Sequence, residues 1–309
     1  MTWDDETDAI LDGDLTAALG YRTPLGGAVV QAVAPIGLRD RAAGEVGFTT
    51  SLGFSKKLVA IARDPRVALA FHAREHGTSS SPRYVLVQGR ATVVERPTAA
   101  ELARVAELAA ARLGPPKRGV FWDRWLREYY QVRVPVRVAV ERIVTWPDLR
   151  CEGPPIVTGP ALPETPPPRQ RPPSGGTGPR VDAARAGARV RGCDHALLGF
   201  DGTDGWPVVV PVTVPPADAA DAAGVRVTAA APLPSGGRRA GLLGHSYRPQ
   251  LIGLEARQYT GWLEVGEDGT GQYAPHTETG YRAPANKTLL LLLNGLLAKR
   301  GVRQAADRH

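Results

Sequence analysis

Ten prolines fall within the thirty residues from Cys151 to Arg180 (CEGPPIVTGPALPETPPPRQRPPSGGTGPR), and that density divides the chain. Proline fixes φ and removes a backbone donor, so this stretch cannot form a helix or an interior strand. It is predicted to run as an extended, semi-rigid spacer. The 309 residues exceed a typical single core, which agrees with two folded halves. The expected division is residues 1–150, a linker over 151–180, and residues 181–309 with a terminal helix.

Both halves read as strands with helical inserts. In the first, Ala28–Val33 is apolar and β-branched, and Pro35 with Gly37 stops it. Val46–Thr50 resumes the strand pattern after the polar turn Arg39–Gly44. Ser55–Arg63 (SKKLVAIAR) puts Leu58, Ile61 and Ala62 on one helical face, and Asp64–Pro65 ends it. Val67–Phe71 and Tyr84–Val94 follow as strands, and Thr98 with Glu101 forms a capping-box pattern for a helix through Leu113. An aromatic segment carries Phe121, Trp122, Trp125, Tyr129 and Tyr130, and Val132–Val144 closes the half. The second half offers strands at Ala196–Phe200, Val208–Val214, Val225–Ala230, Arg239–Leu243 and Tyr259–Val265. Its last helix, from about Lys287 to Lys299, is apolar on nearly every face.

Charge narrows the function. Lys and Arg number 38 against 31 Asp and Glu, yet only five are lysines: Lys56, Lys57, Lys117, Lys287 and Lys299. An Arg excess beside abundant Ala, Gly and Pro has the character of a high-GC bacterial genome, actinobacterial in type. The arginines are interleaved with acids and lack an aromatic stacking motif. Nucleic acid is therefore not the expected partner, whereas an anionic small molecule needs only a local cluster. Cys151 and Cys193 have no metal-ligand spacing and read as reduced thiols. Six acids in the first fourteen residues are the opposite of a signal peptide, and the leucine run near the end is too short to span a bilayer. A cytoplasmic protein with no membrane partner is expected. No nucleophile elbow, Walker loop or dinucleotide fingerprint is present.

One segment carries recognisable chemistry. In VGFTTSLGFSKKLVAIARDPRVALAF, Thr49, Thr50 and Ser51 end a strand, and Ser55, Lys56 and Lys57 open a helix. A phosphate needs hydroxyl donors, exposed N–H groups and a cation, and a helix start supplies the N–H groups and a favourable dipole. A Ser-capped surface helix with two solvated lysines is the competing reading.

The order strand, TTS, loop, SKK, helix, RDPRV, strand resembles the pyridoxamine-phosphate oxidase-like, FMN-binding split-barrel superfamily, which includes the flavin/deazaflavin oxidoreductases. Val85, Gly89 and Ala91 match the V-x-x-x-G-x-A pattern of that family's long strand, and Glu141–Trp146 is similar to its closing strand. The resemblance covers roughly residues 15–148. It departs from the usual pattern at Ala60, where many members place Asn. It implies a mainly β protein: tandem split β-barrels with peripheral helices, forming an intrachain pseudo-dimer, with a homodimer of the whole chain left open. Thr49, Thr50, Ser51, Ser55 and Lys57 match the phosphate-contacting segment, with Lys56 as a helper and Gln88 as a further candidate. Because such barrels bind cofactor between subunits, the resemblance also implies that Arg238, Arg239 or His245 reaches the cofactor from the second half. The implied activity is flavin-dependent oxidoreduction of a small-molecule substrate. FMN is the first cofactor, with the 8-hydroxy-5-deazaflavin coenzyme as alternative.

Other classes stay open: a non-catalytic module for haem or flavin, and a scaffold with no cofactor. His72, Glu75 and His76 would need further ligands from His195, His245 or His276 to hold a metal, so no metal site is assigned.

Overall fold

The computed structural model describes residues 1–51, 55–115, 119, 133–216, 223–286, 288–289, 291–292 and 296. The aromatic segment and most of the expected terminal helix lie outside the described residues.

The first half begins with α1 (Asp5–Gly13), capped by Asp4, whose carboxylate accepts from the Thr7 N–H at 2.7 Å. There follow β1 (Ala17–Arg22), β2 (Ala28–Val33), β3 (Arg39–Asp40), β4 (Glu45–Ser51), α2 (Ser55–Arg63), β5 (Arg66–Phe71) and β6 (Tyr84–Val93). Then come α3 (Ala99–Leu113), with the capping box of Thr98 and Glu101 formed, β7 (Arg133–Trp146) and β8 (Ile156–Thr158). The second half holds α4 (Ala183–Arg191), β9 (His195–Asp201), β10 (Pro207–Pro211), β11 (Val225–Val227), β12 (Gly236–Ser246), β13 (Glu255–Val265) and β14 (Gly271–Arg282).

Two antiparallel sheets result. The first runs β2-β1-β5-β6-β7-β4-β3 with β8 added to β7, and the second runs β10-β9-β12-β13-β14-β11. Each curls until its margins meet. An isolated bridge joins Ala34, just past β2, to Thr49 in β4, and another joins Thr213 to Thr228, past β10 and β11. Closure of this kind leaves few exposed strand edges. The chain is mainly β, two split barrels in tandem.

Strand alternation explains how the barrels fuse. Val67, Leu69, Phe71, Val85 and Val87 point into the first barrel, while Ala68, Ala70, Tyr84 and Leu86 point out. The outward set continues without a break into the apolar interior of the second half, around Leu197, Leu242 and Val209. Small residues permit the approach. Gly199 and Gly241 are cross-strand partners on β9 and β12, and β2 lies on the flat spot they leave. A Cβ on Gly241 would stand 2.7 Å from the Ala28 carbonyl oxygen, which is backbone and cannot swing away. Gly241→Val should therefore destabilise the chain by about 2–3 kcal/mol through overpacking, read as a lower urea midpoint.

The Pro-rich stretch is bonded to both halves. Within it β8 pairs with the edge of β7. Gln170 donates its backbone N–H to Gly237 and its side-chain amide to the Gly26 carbonyl, both at 2.8 Å. Among the described residues no helix is long and apolar enough to cross a membrane.

Candidate functional site

Strand geometry sorts the Thr-Thr-Ser segment into two faces. Thr50 pairs with Val134 and faces the first barrel's core side, alongside Val46 and Phe48. Thr49 faces the other way, and its hydroxyl accepts from the Arg133 guanidinium at 3.2 Å. Arg133 lies directly across the ladder from Ser51. Gly47, on the same outer face, borders a groove of about 300 Å³ with Glu101, Val105 and Arg137. The side chains of Ser51 and Ser55 lie outside the described residues.

The helix α2 turns Lys57, Leu58 and Ile61 inward and leaves Lys56 and Val59 exposed. Lys57 is only 5% exposed. Burial pushes its ammonium from the ordinary 10.5 down to about 8, since the charged form loses its hydration. At pH 7 roughly nine-tenths of it remains protonated. The Thr50 hydroxyl is buried too, and its oxygen has no hydrogen-bond partner among the described residues. A buried ammonium and a spare buried hydroxyl are the donor types an anion accepts from.

The Arg-Asp-Pro-Arg stretch anchors this corner. Asp64 follows the last turn of α2 and accepts from the Arg66 side chain at 2.9 and 2.8 Å and from Arg22 at 2.9 Å. These bonds, Arg66 foremost, hold its carboxyl down at about 2. Arg22 reaches on to Asp201 of the second half at 2.9 Å. The motif thus ties the end of α2 to β1 and to β9.

The remaining candidates sit elsewhere. Gln88 is fully buried at the seam between the halves, donating to the Pro207 carbonyl at 2.7 Å and accepting from Arg142 at 2.6 Å. Arg142 continues to Asp204 at 2.6 Å. Arg238 is buried beneath the linker and donates to the carbonyls of Ser235 (2.6 Å) and Pro167 (3.3 Å). Arg239 meets the linker through Gln170, its N–H donating to the amide oxygen at 2.9 Å. In the described contacts, then, Gln88, Arg238 and Arg239 hold chain to chain.

His245 belongs to a cluster that spans both halves. Its Nε2 lies 2.6 Å from Nε2 of His72, and its ring centroid lies 5.0 Å from that of His195, its cross-strand partner. Tyr247 stacks on it at 6.0 Å. Burial, reinforced by the neighbouring imidazoles, depresses both His72 and His245, so each is neutral at pH 7. Among the described residues no three His, Cys, Asp or Glu side chains are set to hold a metal ion.

No family model and no curated protein matches the chain. Solved structures do. A conserved hypothetical protein from Mycobacterium tuberculosis is 25% identical over 49% of this chain and 88% of its own, with a TM-score of 0.37. A Clostridium acetobutylicum protein related to general stress protein 26, of the pyridoxinephosphate oxidase family, is 10% identical over 50% of this chain and 96% of its own, at TM-score 0.34. A pyridoxamine 5'-phosphate oxidase-related, FMN binding protein from Nostoc punctiforme is 12% identical over 64% and 87%, at TM-score 0.31.

Arg133 is a candidate that sequence reading misses. It is 84 positions from Thr49, and only the register of β4 on β7 brings the two together.

Proposed function

We propose that the chain is a flavin-dependent oxidoreductase that holds FMN by its phosphate where β4 hands over to α2. The observation that carries this reading is the donor set at that corner: the buried Lys57 ammonium, the unpartnered Thr50 hydroxyl, and the Thr49–Arg133 pair on the outer face. A bound flavin supplies the electron or hydride transfer itself, which accounts for a site without an acid–base constellation. The residues of the chain have the simpler tasks of binding and orienting. Lys57 neutralises the phosphate and the Thr50 hydroxyl fixes one of its oxygens on the core side of β4, while the Thr49–Arg133 pair and the groove beside Gly47 share the opposite face of that strand. The substrate is a small molecule that reaches the chromophore in that setting.

The absorbance spectrum of the purified protein, with mass identification of the released ligand, tests the reading. Flavin bands are expected; a deazaflavin spectrum would replace FMN as the cofactor. Colourless protein that takes up neither would overturn the proposal. Lys57→Ala should weaken FMN retention about tenfold or more, the loss of one charge-assisted contact. Affinity should also fall as pH rises above about 8, where the Lys57 ammonium loses its proton. A flat pH profile through that range would remove Lys57 from the phosphate site.

A further inference from the structure

The flavin reading leaves the histidine cluster unused, and that cluster backs a cavity. At the seam between the halves a space of about 460 Å³ is walled in part by Leu149, Leu197 and Val212 and meets His72, His195, Glu75 and Asp194. Its volume lies in the range of small-molecule sites.

The hydrogen-bond roles at this cavity follow from its contacts. His72 Nδ1 lies 3.0 Å from the Ala70 carbonyl, so it carries the proton and leaves Nε2 as an acceptor. That acceptor is met by His245 Nε2, the donor of the pair. His195 Nε2 stands 3.2 Å from the Glu75 carboxylate. Glu75 is held by its backbone too, because its carbonyl accepts from the Tyr247 hydroxyl at 3.0 Å. Asp194 adds a second carboxylate. The basic side chain on the lining, Arg150, lies 3.1 Å from Glu152. The polar lining thus sets two carboxylates, Glu75 and Asp194, beside the hydroxyl-bearing Thr213 and Thr228 and against an apolar wall.

The geometry points to this cavity as a second binding site, one that takes a small protonated amine with an apolar body. The ammonium donates to Glu75 and Asp194 while the body lies along Leu149, Leu197 and Val212. His195, held by Glu75, sits beside the bound nitrogen as a positioning residue. This site is separate from the phosphate corner, so either assignment can fail without the other.

Benzylamine is a suitable probe and benzoate its control, titrated into the full chain while the histidine ring signals are followed by ¹H–¹⁵N NMR. Benzylamine should shift the His195 and His72 signals saturably, and benzoate should not. Glu75→Gln and Asp194→Asn should each weaken benzylamine about fivefold, the scale of one partly exposed charge pair. The assignment is overturned by no saturable shift, by an equal response to benzoate, or by unchanged affinity in both variants. Stoichiometric Zn²⁺ uptake that excludes benzylamine would also overturn it, by making the cluster a metal centre. FMN absorbance, recorded in the same samples, reports separately on the phosphate corner.

Discussion

Below about pH 6 the wild-type chain should lose stability relative to a His72→Leu/His245→Leu variant, at a slope approaching about 3 kcal/mol per pH unit when the unfolded chain takes up both protons. The two imidazoles come from different halves and meet at 2.6 Å between Nε2 atoms. His72 faces His245, His195 and Arg74, and His245 faces His72 and His195 with Tyr247 stacked on it. Among the described residues no carboxylate is in contact with either ring to offset a charge. Both pKa values lie below the ordinary 6.5, so the unfolded chain takes up protons that the folded chain refuses. The histidine contribution is fully present above about pH 6.5 and drains as pH falls towards the depressed folded values. Burial acts in the opposite sense on Asp14, raising it to about 8 against the pull of Arg74. That contribution is the same in both chains and cancels in their difference. Urea midpoints measured from pH 7 to pH 4.5 give the comparison. Parallel profiles would mean that the pair accepts protons within the fold.

The second large effect concerns Lys57. Moving its ammonium from 10.5 to about 8 corresponds to about 3 kcal/mol of disfavoured charge, present at any pH below about 8. Lys57→Met keeps the length of the stem and removes the charge. In the absence of an anion the variant should be more stable than wild type by about 2–3 kcal/mol at pH 7, and it should bind FMN poorly. Between about pH 8 and 10.5 the wild-type chain should regain that difference, because the folded lysine gives up its proton before the unfolded one does. A less stable Lys57→Met would mean that the ammonium is already well compensated without a ligand. Stability set against binding at one residue is the mark of a functional position.

How much of this was readable in the chain depends on how local each signal is. Ala28–Val33 and Ser55–Arg63 are found with the ends expected of them, since Pro35, Gly37 and Asp64–Pro65 punctuate the chain within a few residues. The capping box before α3 is equally local. By contrast β1 (AALGYR) has no β-branched residue, and its strand form comes from β2 and β5 on either side. The strand β14 carries Pro275 in its interior, which argues against a strand. A register shift at Thr260/Gly261 opposite His276 absorbs it. The helix α1 hides in the acidic start, where Asp8 and Asp12 pair with Arg39 at 2.8 and 2.5 Å.

The same division holds for the site. Thr49, Thr50 and Lys57 are visible because they lie within nine residues of one another. Arg133 depends on a strand register, and the meeting of His72, His195 and His245 depends on how two barrels dock. Sequence shows those histidines as separate points 50 to 173 residues apart, with nothing periodic to join them. The chain partners of Gln88, Arg238 and Arg239, namely Pro207 and the linker, are equally remote in sequence.

The proposed function requires an anion held at the β4–α2 corner, and the most direct measurement compares FMN with riboflavin, which lacks only the phosphate. Titration of ligand-free protein at pH 7 should show FMN binding tighter by about a hundredfold, the worth of two charge-assisted contacts. That preference should shrink in Lys57→Met. Equal affinity for the two flavins, or a preference that survives the substitution unchanged, would contradict it.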